Sequence, residues 1–336
     1  MNQNRKRRIL AAVCALALIM GLLTACGNGE EQSGGDALTP VTVVLDYAPN
    51  TNHTGFYAAK DLGYYEEAGL DISIVEPTDS AVTTLVATGK VQFGVSYQED
   101  VTYAKTTADP LPVTAIAAIL QHNTSGFASY EPKGIKVPKD FEGKVYAGWG
   151  APSEEATIEA VMKADGADFS KVTVTSGSGF ESLSALEGDI DIAWIFWAWD
   201  GVMAEQEGVP LSYIDLTNYD KRLDYYTPLI IAGDDLIADD PELVKTFLGA
   251  TAKGFEYCVE DPEAAAKILG DNVPEYDLDF LIASQQWLAD YFISDAPRWG
   301  EMKDEVWDGY SGFMVEYGLL DEALSAETFY TNEFLP

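Results

Sequence analysis

Short β-branched runs alternate with amphipathic helical stretches along most of this chain, and that alternation limits its fold more than any other feature. Val41–Leu45, Asp71–Val75, Val91–Ser96 and Val113–Leu120 read as strands. Between them, a stretch from His53 to Gly63, then Ser80–Thr88 and Gln98–Thr107, carry the helical period, with Asn52 placed to cap the first. This βαβαβ order implies a mostly parallel sheet with helices on its faces. A second unit of the same kind follows. It runs through Val145–Trp149, a helix from Ser153 to Ala164 closed by Gly166, Val172–Thr175, a helix near Glu181–Leu186, and strands Ile190–Phe196 and Leu211–Asp215.

The segment Tyr225–Ala232 reads as a strand returning to the first unit. From Pro241 the chain is almost all helix: Pro241–Val259, Pro262–Leu269, Leu278–Phe292 and Glu301–Tyr317. Pro241 and Pro262 fall in first helical turns, where a missing N–H costs least. Two α/β units crossed once in each direction predict a bilobed fold of the type II periplasmic-binding-protein kind. Its two mixed-sheet lobes are joined by a two-segment hinge, and its C-terminal region is helical. Residues 40–127 and 228–336 would form lobe 1, and residues 128–227 lobe 2. A ligand is then expected in the cleft at the C-terminal ends of strands, with closure by hinge motion.

The N-terminus sets the expected compartment. Arg5, Lys6, Arg7 and Arg8 precede an apolar run from Ile9 to Leu23 and then Leu23-Thr24-Ala25-Cys26-Gly27. Residues 1–25 thus have the layout of a secretory signal peptide. The apolar run is short for a span, which takes roughly 20 residues. Cys26 stands where a bacterial lipobox carries its lipid. Residues 26–39 are expected to be the lipid anchor and a flexible Gly/Ser/Glu/Gln-rich linker. The protein would then sit on the outer face of the cell membrane or in the periplasm, held by lipid at Cys26 and touching the membrane only through it.

The formal net charge is -35, and the leader carries four basic residues and no acidic one, so the mature chain is more negative still. Such a surface repels nucleic acid and anionic headgroups and weighs against an anionic ligand. Of the three cysteines, Cys14 leaves with the leader and Cys26 is the lipid site. Cys258 remains alone in a helical pattern, which excludes an internal disulfide and a cysteine cluster for zinc or iron–sulfur. With His53 and His122 the only histidines, no metal or other cofactor is expected.

The informative side chains follow strands. Tyr47, Asn50, Asn52 and His53 come after the first strand, Tyr97 and Glu99 after the third, Asn123 and Ser125 after the fourth. Trp149 and Glu154 follow the first strand of the second unit, Trp197 a later one, and Tyr226 lies in the returning segment. Flat rings, neutral amides and a few carboxylates suit a flat nitrogen heterocycle, stacked between rings and paired at its amino group and ring nitrogens. Each residue also has a structural role open to it. Trp194 and Phe196 fit a core strand as well as a cleft wall. Trp149, between two glycines, fits the cleft better. Glu154 with Glu155, and Glu99 with Asp100, stand in first helical turns, where acids favour the macrodipole. Asn52 suits a helix cap, and His53 and His122 suit hydrogen-bonded structural positions. There is no glycine-rich phosphate loop and no Gly-x-Ser-x-Gly elbow, and the paired carboxylates are only sequence neighbours.

The runs DYAPNTNHTGFY, FGVSYQEDVTYA, QHNTSGFAS, AGWGAPSEEA, AWIFWAWDG, LDYYTP, DAPRWGEMK and TNEFLP resemble the family of thiamin-pyrimidine binding proteins and fungal pyrimidine synthases, in its bacterial ThiY-type transport branch. Tyr47 stands where that family usually has Trp. The similarity extends from Val41 to Pro336. It implies a monomeric receptor that delivers N-formyl-4-amino-5-aminomethyl-2-methylpyrimidine or hydroxymethylpyrimidine to an ABC permease. Relatives of the same fold take other cargoes, such as riboflavin or a sulfonate. The fungal branch implies an enzyme with a cysteine-rich iron site and an active-site His. His53 lies in the shared NTNHTG run, but the body has Cys258 alone, so a receptor and not an enzyme is expected.

Overall fold

The β-branched run at the start of the body forms β1 (Thr39–Val44), which pairs in parallel with β2 (Leu70–Val75) on one side and β3 (Phe93–Ser96) on the other. The computed structural model describes residues 37–336 except 79, 178–182 and 187. The expected signal peptide, Cys26 and the linker as far as residue 36 lie outside the described residues, as do residues 181 and 182 of the helix expected near Glu181–Leu186, whose remainder, Leu183–Leu186, is a short 3-10 helix. Helices α1 (Thr54–Asp61), α2 (Tyr64–Glu67), α3 (Val82–Ala87) and α4 (Gln98–Thr106) connect these strands and lead to β4 (Val113–Ala118). The sheet order is β2-β1-β3-β10-β4, where β10 (Leu229–Gly233) is the returning strand, antiparallel to both neighbours.

The second sheet has the corresponding order, β7-β6-β8-β5-β9. Its strands are β5 (Ser125–Tyr130), β6 (Val145–Gly148), β7 (Thr173–Ser176), β8 (Ile192–Phe196) and β9 (Leu211–Asp215). Helices α5 (Pro152–Ala164) and α6 (Val202–Glu207) lie between β6 and β7 and between β8 and β9. In each sheet the strand arriving from the other unit is the antiparallel one. By sequence Ser125 lies in the stretch after the fourth strand, which carries no strand signal of its own, yet Ser125 opens β5. Ser, Gly and Ala carry little strand propensity, and β5 exists because β8 and β9 pair with it on both sides. The chain therefore crosses over residues 119–124, and the expected boundary at 127/128 falls inside a strand.

The C-terminal helices are α7 (Asp234–Asp239), α8 (Pro241–Glu260), α9 (Pro262–Asn272), α10 (Leu278–Phe292) and α11 (Asp304–Glu316). Asp240, Asp261 and Asp277 cap α8, α9 and α10, each accepting from a backbone N–H three residues on. The helix α8 buries Val244, Phe247, Leu248, Phe255 and Cys258 against the first sheet. Its Phe247 ring stacks on Phe93 with centroids 3.8 Å apart. A Cβ on Gly254 would run into the Gly55 carbonyl, so α8 and α1 meet backbone to backbone. That contact fixes the loop between β1 and α1.

The second sheet packs Phe127, Phe141, Tyr146 and Trp194 edge to face. The helix α11 departs from the division expected for residues 228–336. Its Trp307 belongs to a first-sheet cluster, but Tyr310, Phe313 and Met314 are buried in the second sheet's core. An apolar stripe on two faces lets this helix join both units. No described helix is long and apolar enough to cross a membrane.

Candidate functional site

The C-terminal ends of β1, β3, β6 and β8 open onto one cavity of about 370 Å³ between the two sheets. Eight of its lining residues are aromatic. Tyr47 is 62% exposed, Tyr97 42%, Trp149 40% and Phe196 38%, and no other aromatic ring in the described chain is as exposed. Tyr47 and Tyr97 come from the first unit, Trp149 and Phe196 from the second. Wet ring faces on both sides of a cleft are surface that a flat ligand would remove from water. Trp194 backs Trp149 with centroids 5.4 Å apart, so it is both core and wall. Trp199 packs edge-on against Tyr276, and Tyr225 leans on Tyr310.

The polar lining is acidic. Asp46, Glu99 and Asp200 reach the cavity, while its described lining contains no Lys, Arg or His. Asp200 is 5% exposed and accepts long bonds from the N–H groups of Leu183 and Phe196, both 3.3 Å. Burial pushes its carboxyl up to about 6, against the pull of those backbone donors. It sits in a π-helical turn, Trp197–Gly201, of the kind that recurs at functional sites. Glu99, in the first turn of α4, is also raised by burial, although the side chains of Ser153 and Tyr310 oppose the shift. The Tyr310 hydroxyl donates to it at 2.9 Å.

Half of the residues expected at a ligand meet here: Tyr47, Asn50, Asn52, Tyr97, Glu99 and Trp149. Asn50, not Asn52, is the cap. Its Oδ1 accepts from Asn52 N at 3.0 Å, and its amide donates to Ala48 O. Asn52 Oδ1 is buried with no partner. Thr51 bonds Ser284, whose hydroxyl donates to Ala198 O. The β1 loop is thereby tied through α10 to the π-helical turn of the other unit.

The structure keeps six expected residues out of this cavity. His53 is fully buried behind Asp46: its Nδ1 accepts from Asn50 N at 3.2 Å, so Nε2 carries the proton to Asp46 at 2.7 Å. It orients a lining carboxylate. Asn123 donates to Leu223 O and accepts from the N–H and hydroxyl of Ser125, so both residues join the two crossing segments. Glu154 is 2% exposed and accepts from Tyr146 Oη and from the N–H groups of Trp149, Gly150 and Ala151. A Cβ at Gly148 would occupy the place of that carboxylate. The glycines beside Trp149 therefore make room for Glu154 and the turn, and only indirectly for a ligand. Tyr226 is buried, with its hydroxyl accepting from Lys303 N. Trp197 turns away onto Tyr213.

Asp46, Trp199, Asp200, Tyr225 and Tyr276 line the cavity without having been singled out from sequence. Asp200 could have been found from Trp-Asp-Gly directly after a strand. Tyr276 arrives from the loop before α10 and carries no local signal.

Residues 50–265 match the NMT1/THI5-like family. The chain belongs to that family. Among its relatives, the formylaminopyrimidine-binding protein of Halalkalibacterium halodurans is 26% identical over 322 residues, covering 94% of this chain and 96% of the relative. A 4-amino-5-hydroxymethyl-2-methylpyrimidine phosphate synthase of Saccharomyces cerevisiae is 28% identical over 308 residues, covering 88% of this chain and 87% of the enzyme. Among solved structures, a putative periplasmic sulfonate-binding protein from Methylobacillus flagellatus superposes with a TM-score of 0.65 at 16% identity, covering 89% of this chain and 93% of that one. That likeness is one of fold. The sequence family therefore holds a binding protein and a synthase, and the site must decide between them. Among the described residues, no group of three His, Cys, Asp or Glu side chains is arranged to hold a metal.

Proposed function

We propose that this chain is the extracytoplasmic solute-binding receptor of an ABC importer and captures a thiamin-precursor aminopyrimidine by closing its two lobes. The preferred cargo is N-formyl-4-amino-5-aminomethyl-2-methylpyrimidine or hydroxymethylpyrimidine. The observation that carries the reading is a ring-lined cavity with three carboxylates and no cation in its described lining. A flat aminopyrimidine offers two ring faces and amino donors, which match stacked side chains and carboxylate oxygens. Asp200 and Glu99 are the acceptors, and Tyr47, Tyr97, Trp149 and Phe196 are the ring walls.

The same charge distribution weighs against a synthase. A phosphorylated pyrimidine would bring its dianion beside Asp46, Glu99 and Asp200 with nothing opposite to balance it. Cys258, the only cysteine of the body, is fully buried in α8, and burial pushes its thiol up. It is a packing residue. The chain acts as a monomer on the outer face of the membrane, held by lipid on Cys26, and hands its ligand to a permease.

Calorimetry with hydroxymethylpyrimidine and its phosphate ester tests this. The free pyrimidine should bind at or below about micromolar, or about -8 kcal/mol, and the ester at least about a hundredfold more weakly. Tighter binding of the ester, or a pyrimidine phosphate formed on incubation with iron and pyridoxal phosphate, would favour the enzyme.

A further inference from the structure

A second cavity, of about 350 Å³, lies on the far side of Thr124, which lines both. The Thr124 carbonyl accepts from Trp197 N at 3.0 Å and from Tyr213 Oη at 3.1 Å, so the partition is fixed on both sides. One wall is the ring pair Trp197 and Tyr213, with centroids 4.7 Å apart. The other is Trp287 and Tyr291, one turn apart on α10 and stacked at 4.4 Å. The first pair belongs to the second sheet's side, and the second pair packs on the first sheet's core.

The first wall is seated on glycines. A Cβ at Gly201 would run into the Trp197 ring, and one at Gly126 would lie 2.6 Å from the Tyr213 ring. Two backbone positions thus leave the space these rings occupy.

The charge here is negative. Asp215 and Asp224 line the cavity together with His122, the one lining residue that can carry positive charge, and its described lining contains no Lys or Arg. Asp215 Oδ1 accepts from the N–H and hydroxyl of Thr217, both 2.8 Å. Asp224 accepts from Asn123 N and pairs with His122 Nδ1 at 2.8 Å. His122 also reaches Asp295 at 3.3 Å. Asp295 is also paired with Lys303 at 3.0 Å, so a protonated His122 offsets chiefly Asp224, while Asp215 has no ion pair among the described residues. The phenols of Tyr213 and Tyr291 are pushed up by burial and then by the charge of Asp215, so both rings stay neutral under a negative potential.

We propose that this second cavity is a separate binding site for a small organic cation carrying an alkylated ammonium group, held between the Trp197/Tyr213 and Trp287/Tyr291 walls with Asp215 supplying the charge. Ring faces attract a cation electrostatically, and tryptophan does so best. An alkylated ammonium needs few hydrogen bonds, which fits walls of rings whose nearby acceptors are already bonded. An anion is repelled, and a neutral alcohol forgoes the ring and carboxylate attraction alike.

Choline is the probe, titrated into the full chain by calorimetry in amine-free buffer, with 3,3-dimethylbutan-1-ol as its uncharged carbon isostere. One choline per chain should bind saturably, and the alcohol at least about tenfold more weakly, the scale of a desolvated cation–π contact. Trp287→Leu should weaken choline by about tenfold or more. Because Trp287 also packs on the core, Asp215→Asn is the second variant. Its Oδ1 can still accept from Thr217, while the charge is gone, and choline should again weaken by about tenfold. Trp149→Ala, in the first cavity, should leave choline binding unchanged. The proposal is overturned by no saturable choline binding, by equal binding of the alcohol, by unaltered binding to folded Asp215→Asn, or by loss of binding in Trp149→Ala.

Discussion

Asp200→Asn should make the protein more stable and worse at its task. The carboxyl is 5% exposed and held at about 6, against an ordinary value of 3.8. Keeping it charged in the fold therefore costs about 3 kcal/mol, at 1.36 kcal/mol per pH unit. Asn removes that cost and loses one acceptor oxygen facing a long 3.3 Å bond, a loss of about 1 kcal/mol. The net gain is about 1–2 kcal/mol where wild type is ionised. The sign follows from linkage. A carboxyl raised in the fold stabilises fully below its unfolded value of 3.8, and that contribution disappears as pH rises through about 6. The advantage of Asn should thus be absent near pH 4 and complete above pH 7. Ligand binding should move the other way. Losing a charged hydrogen-bond partner costs about 1.5–3 kcal/mol, roughly tenfold to a hundredfold in affinity. Urea unfolding at pH 5 and pH 8, with calorimetric titration of hydroxymethylpyrimidine at pH 8, measures both effects. A variant less stable than wild type at pH 8, or one that binds the pyrimidine normally, would refute the assignment.

Glu154→Gln should act through the fold, because its carboxylate holds three consecutive N–H groups and a phenol; a loss of about 3–5 kcal/mol in unfolding free energy without ligand is expected, and normal melting would contradict that role. Trp149→Ala should leave the melting curve of the free protein near wild type and weaken the pyrimidine by about 1–3 kcal/mol, the scale of ring stacking on a base, read by titration. Cys26→Ala should release the protein from membranes or leave it unprocessed, and a mature form that begins elsewhere and carries no lipid by mass spectrometry would remove the anchor.

The lobes were legible because hydrophobic period and chain order are local. Leu211–Asp215 and Leu278–Phe292 begin and end where their patterns do. β5 was not legible, because its strand character comes from partners 65 or more residues away and not from Ser, Gly and Ala. The position of the cleft followed from loops after strands, and Tyr47, Tyr97, Glu99 and Trp149 reach it. Which polar side chains face a ligand was harder. Glu154 and Asp200 are both acids that follow a strand and a tryptophan, Trp149 five residues before one and Trp199 directly before the other. One folds back onto its own backbone donors, and the other is carried into the cavity by a π-helical turn. That difference rests on a single turn of backbone, which composition and spacing do not encode. The role of α11 as a bridge between the two cores was hidden for a related reason: an apolar stripe shows that a face is buried, and not against which sheet.

Native mass spectrometry of the protein purified from cells fed with thiamin breakdown products tests the central claim most directly. The claim predicts a one-to-one complex whose released mass is that of an unphosphorylated aminopyrimidine, and which Asp200→Asn fails to retain. A retained anion, whether sulfonate or pyrimidine phosphate, would contradict it.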